Sequence, residues 1–168
     1  MSEQTLQKVV ELLEQHNAQF RVVHHPSAGK SEEVAKIRGT QLGQGAKALV
    51  CTVKGNGVKR SVLAILPADK QADLSKIACY FGATKASLSS PKEVSDLTDC
   101  VFGAIPPFSF HPNLTLIADP SLLQRYAELA FNAGILESSI ILNTQDYARI
   151  VQPTLVEFTK KDEANYSL

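Results

Sequence analysis

A chain of 168 residues is long enough to bury one good core and short for two. Apolar residues make up 44% and charged residues 20%, which excludes disordered and fibrous classes. The 17 basic residues balance 17 acidic ones, so no overall field draws the chain to DNA, RNA or anionic lipid. One domain over residues 1–168 is expected, and any contact with RNA must be local.

The opening MSEQTLQKVV is polar, without the charged start and apolar run of a secretory signal, and nowhere do about 18 apolar residues run together. A cytoplasmic protein with no membrane partner is the reading. From Thr5 to Asn17, Leu6, Val9, Val10 and Leu13 follow the i, i+3, i+4, i+7 rule and predict a helix. FRVVHHP predicts a short strand ended by Pro26. Ser31 stands as an N-cap before EEVAKIRG, with Glu32 and Glu33 placed for the helix dipole and Gly39 as the stop.

AKALVCTVKGNGVKRSVLAILP reads as two strands joined at Gly55-Asn56-Gly57, residues that tolerate the positive φ of a tight hairpin. Helical spacing of Leu74, Ile77, Ala78 and Phe81 predicts a helix over residues 70–81, stopped by Gly82. Ser90-Pro91-Lys92-Glu93 is a capping box with proline at the first helical position. LTLIAD predicts a strand, Asp119-Pro120 a helix start, AELAFNAG and SSIILN two further strands, and Thr144 the cap of a last helix through Ile150. The polar tail over residues 161–168 is expected to fray. The order contains a hairpin and lacks regular βαβ alternation. It predicts an α/β protein of the α+β kind, a mixed, largely antiparallel sheet with helices packed around it.

The chemistry-bearing candidates are few. Cys51, Cys79 and Cys100 are odd in number and widely spaced, which argues against a disulfide framework or zinc site and for a reducing compartment. Walker, dinucleotide-binding, HExxH and GxSxG motifs are absent. His24 and His25 are strand neighbours that point to opposite faces with no cluster to complete a metal site, so neither metal nor cofactor is expected. Cys51 lies inside an apolar strand and reads as core. His111, in FHPN, reads as a loop residue before it reads as a base.

Lys47 opens an otherwise apolar strand just after GTQLGQGA, where it either snorkels into water or serves a site. The segment VFGAIPPFSF poses the same choice. Gly103 lets backbone approach a ligand, and Pro106 and Pro107 fix φ and remove two N–H groups, so the loop is preorganised. A rigid turn roofing the core with Phe102, Phe108 and Phe110 explains the same residues.

HHPSAGKSEEVA, GAKALVC, GAIPPF, LIADPSLL and FNAG occur in that order and together resemble the YbaK/ProRS editing-domain family of aminoacyl-tRNA deacylases, over roughly residues 20–151. No synthetase catalytic or anticodon-binding domain accompanies them, so the resemblance is to a freestanding, trans-acting member. It implies hydrolysis of the ester of a mischarged tRNA, aided by the substrate's own ribose hydroxyl and without a side-chain nucleophile. The amino acid would be small, such as alanine, serine, threonine or cysteine.

Lys47 matches the family's hallmark lysine, and Gly103, Ala104, Ile105, Pro106 and Pro107 match the loop that cradles the terminal adenosine and aminoacyl group with backbone donors. His25-Pro26 matches an early His-Pro, and Ser31 falls where members have threonine or serine beside the amino-acid pocket. Asp119 matches a structural acid at a late helix start. Ser109 stands where the family has glycine, and His111 has no counterpart. Ser31 and Ser109 would favour a hydroxylated amino acid. The implied partners are the aminoacyl-tRNA acceptor end and a synthetase. Two rival readings remain open: a module of this fold that binds a tRNA end, nucleotide or protein without turnover, and a hydrolase of small esters or amides.

Overall fold

The computed structural model describes residues 2–28 and 30–161. Helix α1 (Ser2–Gln15) buries Val9 and Leu13 completely, as its apolar stripe requires. Strand β1 (Phe20–His24) follows, then α2 (Ser31–Arg38), a short 3-10 turn at Leu42–Gln44, and the long hairpin β2 (Ala46–Gly55) and β3 (Val58–Pro67). Asn56 and Gly57 turn the hairpin with φ of 53° and 79°, the positive pair that a two-residue turn between right-twisted strands demands.

Helix α3 (Leu74–Tyr80), β4 (Lys85–Leu88), α4 (Pro91–Thr98) and β5 (Leu114–Ala118) come next. A 3-10 turn at Pro120–Leu123, then β6 (Glu128–Asn132), β7 (Ser138–Asn143), α5 (Thr144–Val151) and the short β8 (Thr154–Leu155) complete the order. The strands form two sheets, where the sequence predicted one. One is antiparallel in the order β1-β7-β6, and the other is mixed in the order β4-β2-β3-β5-β8, with β5 parallel to β3 and β8 parallel to β5. They touch through a parallel bridge between Gly45 and Ala130.

Residue parity divides the core. Leu63 and Ile65 of β3 join Leu129, Phe131 and Ile140 of the smaller sheet, with Val9, Leu13 and Tyr147 from the helices, in one buried cluster. Cys51, Val53, Val62 and Leu66, on the opposite face of the larger sheet, pack with Ile77 and Phe158 in a second.

Several expectations are corrected. Ser31 is the first residue of α2 and not its cap; the cap position is Lys30, with no side-chain capping bond. Helix α3 begins at Leu74 because residues 71–73 are claimed by the chain's far end. Asp73 N–H donates to Phe158 O at 2.6 Å, Lys160 N–H donates to Gln71 O at 2.8 Å, and the Asp73 side chain then caps Ser75 N–H. Asn143, not Thr144, caps α5, while the Thr144 hydroxyl donates to Tyr126 O. Asp119 caps a 3-10 turn. The capping box at Ser90 and Glu93 forms as read. Strands β4 and β8 were not anticipated, and residues 162–168 of the expected frayed tail lie outside the described residues.

Candidate active site

Where the two sheets meet, a cavity of about 190 Å³ opens between α2, the first residues of β2, the end of β6 and the segment after α4. Its wall includes Ser31, Arg38, Gly45, Lys47, Phe102, Gly103, Ile105 and Asn132, and no carboxylate. Lys47 shares the parity of Cys51 and Val53, so its stem runs toward the α3 side, and its Nζ donates to Lys70 O at 3.3 Å. Burial draws the ammonium's pKa down from the ordinary lysine value, and no described carboxylate pairs with it.

The proline loop has two halves. Gly103 is exposed at φ 86°, in the left-handed region that favours glycine, and Phe102 beside it is 48% exposed at the cavity. From Ala104 to Phe108 the chain dives into the core. Phe108 packs edge-on against Phe131 and Tyr147 at 5.7 and 5.6 Å, and Tyr147 donates its hydroxyl to Pro107 O at 2.8 Å. The core roof and the exposed glycine at the cavity are thus successive parts of one segment. Ala104 N–H donates to Val101 O and Gly134 N–H donates to Ala104 O, and the prolines have no N–H. Gly103 and Ile105 retain backbone N–H groups that bond to no described residue.

Of the sequence-predicted residues, Ser31, Lys47, Gly103 and Ile105 line this one cavity, whereas His25, Ala104, Pro106 and Pro107 do not. Pro106 borders a separate hollow beside α1 that also holds His111. His25 belongs to a part-buried polar network that reaches the cavity through Asn132. Its Nδ1 lies 2.8 Å from Pro26 O and its Nε2 2.7 Å from the Ser139 hydroxyl. A carbonyl only accepts, so Nδ1 is the donor there. Ser139 and Asn132 are direct cross-strand partners, and the hydroxyl donates to Asn132 Oδ1 at 3.0 Å. Asn132 Nδ2 donates to Ala28 O at 2.9 Å and to Gly103 O at 2.8 Å, fixing the amide's orientation and tethering the exposed glycine.

Arg38 Nη1 also donates to Ser139, at 3.3 Å. Arg38, Asn132 and Ser139 were missed from the sequence. An arginine in the last turn of a helix reads as a dipole complement, but asparagine inside the apolar run AFNAG, where strands disfavour it, was a usable signal.

Elsewhere the side chains have structural work. Cys51 is fully buried, and burial pushes its thiol up to about 11. The ring of His111 accepts from Asn113 N–H at 3.0 Å, and Ser109 spends its hydroxyl on His111 O and Leu114 O, away from the cavity. Among the described residues, no three of His, Cys, Asp or Glu gather closely enough to hold a metal.

The aminoacyl-tRNA editing domain family matches residues 25–150. The multifunctional Ser/Thr-tRNA deacylase ProXp-y of Escherichia coli K12 is 63% identical over 156 residues, 93% of either chain, and that of strain O157:H7 matches equally. A candidate trans-editing enzyme for prolyl-tRNA synthetase has the same fold, with TM-score 0.77 at 22% identity over 94% of this chain and 98% of its own. A hypothetical protein of known crystal structure superposes with TM-score 0.79 at 19% identity, over 91% of this chain and 99% of its own.

Proposed function

Because the chain belongs to the aminoacyl-tRNA editing domain family, we propose that it is a freestanding deacylase, a single domain that hydrolyses the ester of mischarged tRNA in trans, with serine and threonine as the amino acids removed. One observation supports the reading: a small cavity, with no carboxylate among its described lining residues, is lined by Lys47 and by Gly103 and Ile105, whose backbone N–H groups bond to no described residue. Such a site suits an electron-rich, activated ester, which needs orientation and charge stabilisation and not a nucleophilic side chain.

In this reading the terminal adenosine enters by the exposed Phe102, on whose ring its base stacks, and the loop's N–H groups meet the ribose. Lys47 holds the acceptor end. The substrate's ribose hydroxyl orients the water that attacks the ester carbon; the bond to the ribose oxygen breaks, and that oxygen takes up the proton that water releases. Free amino acid and uncharged tRNA result. The activity is that of a second site which removes what a synthetase pocket cannot reject by binding alone, so the partner it implies is a synthetase that misacylates with serine or threonine. No described helix is long and apolar enough to cross a membrane, and a tRNA substrate fits the expected cytoplasmic location.

A deacylation screen over aminoacyl-tRNAs tests this. Release of serine and threonine is expected; binding without release favours a non-catalytic module, and turnover of free esters without tRNA favours a general hydrolase.

A further inference from the structure

We propose that Arg38 is a catalytic residue of this cavity, its guanidinium meeting the carbonyl oxygen of the aminoacyl ester, where negative charge gathers as water adds. The inference rests on the deacylase reading above. Arg38 closes α2, where an arginine ordinarily extends into water and complements the helix dipole, as the exposed Lys36 does. Arg38 instead lines the cavity. Among the described residues only its Nη1 has a partner, the Ser139 hydroxyl; Nε is buried with no acceptor there, Nη2 bonds to none of them, and none of the described ion pairs includes it. Burial draws its pKa down to about 10, so it is charged at neutral pH.

A buried cation with idle N–H groups costs stability until an oxygen arrives. Nε and Nη2 share one edge of the guanidinium, the edge that grips oxygens side by side. Gly45 lies beside that edge, and a Cβ there would clash with Ala68 Cβ at 2.9 Å while standing 3.8 Å from Nη2, an ordinary contact.

Chemistry selects the oxygen. In a charged tRNA end the amino acid's carboxylate has been consumed in the ester, leaving two bearers of negative charge, the phosphodiesters and the carbonyl oxygen of the tetrahedral adduct. A phosphodiester carries a nucleoside on either side and stays at the mouth of a cavity of about 190 Å³, whereas the acyl end enters it. The Ser139–Asn132 link further ties the guanidinium to Gly103 O, so cation and loop bear on the same part of the ligand. As the water oxygen bonds to the carbonyl carbon, the C=O electron pair moves to the oxygen facing Arg38. The adduct then collapses by expelling the ribose oxygen, which is protonated.

Single-turnover hydrolysis of seryl- and alanyl-tRNA by wild type, Arg38→Met, Arg38→Gln and Arg38→Lys, with melting temperatures, tests the proposal. Arg38→Met should lose about a hundredfold in rate on both esters, with the dissociation constant within about threefold of wild type. Its melting temperature should be equal or higher, because a partly buried charge that no described carboxylate pairs with is gone. Arg38→Lys, a charge without the fork, should recover part of the rate, and Arg38→Gln, which keeps an N–H for Ser139, should not. A wild-type rate in a folded Arg38→Met enzyme overturns the proposal. So does weaker binding at unchanged rate, which would place the guanidinium on a phosphodiester, or a loss confined to the seryl ester, which would place it on the side-chain hydroxyl. Lower stability with activity per folded molecule unchanged would reduce it to a structural role. If wild type hydrolyses neither these nor any other aminoacyl-tRNA, the deacylase reading itself has failed.

Discussion

Gly103 concentrates the two demands on the proline loop in a single residue. Its φ of 86° disfavours any Cβ, its carbonyl is held by Asn132, and its N–H bonds to no described residue. Gly103→Ala should therefore cost about 1–2 kcal/mol from the left-handed backbone alone, a few degrees in melting temperature for a chain this long. Single-turnover hydrolysis should fall further, by about tenfold or more per folded molecule, because the new methyl group and any backbone shift act directly on the ligand. Normal turnover by the folded variant would return the loop to a purely structural role.

Among the elements, the 3-10 turn after β5 depends on one acid. Asp119, 4% exposed, accepts from Ser121 N–H and hydroxyl, Phe158 N–H and Thr159 N–H, fastening the C-terminal segment to the larger sheet. Burial pushes its carboxyl up, and the bonds from Ser121, Phe158 and Thr159 together outweigh it, so the folded pKa lies below the ordinary aspartate value. A depressed carboxylate contributes stability that is fully present above its unfolded value of about 4 and is lost as pH falls through the folded one. Asp119→Ala should lower stability at neutral pH by about 1–3 kcal/mol, read by urea melts, with the difference from wild type shrinking in acid. A pH-independent difference would contradict the account.

The same segment shows where sequence reading stops. Helices and strands with a local cause were legible: the α1 stripe, the Asn56-Gly57 turn and the Ser90 box each carry their own signal. Residues 71–73 look helical by spacing, and only contact with Phe158 and Lys160, more than 80 positions away, pulls them out. Lys47, Gly103, Ile105 and Ser31 could be picked out before the cavity they line was seen, because a motif marks each. Arg38 and Ser139 could not, since their roles arise when α2 and β7 meet.

Over the whole molecule, the cavity lies where the two sheets touch, and formal charge sums to zero over 17 basic and 17 acidic residues. On the proposed reading, a protein so balanced is expected to hold the single-stranded end of a tRNA without coating its duplex. The logarithm of binding affinity should therefore fall against the logarithm of salt with a shallow slope of about −1 to −2, one to three phosphate contacts at about 0.7 each. A slope near −5 would require an extended basic surface.

Hydrolysis of an aminoacyl ester in the cavity lined by Lys47 is tested by the single-turnover release of serine from seryl-tRNA by wild type and by Lys47→Ala, at matched folded concentration. Wild type should release serine well above the spontaneous rate. Lys47→Ala should melt normally, since it removes a partly buried cation that no described carboxylate pairs with, and should be slower by about tenfold or more, a loss of about 1.4 kcal/mol or greater in transition-state stabilisation. Equal release by the two folded proteins would contradict the account.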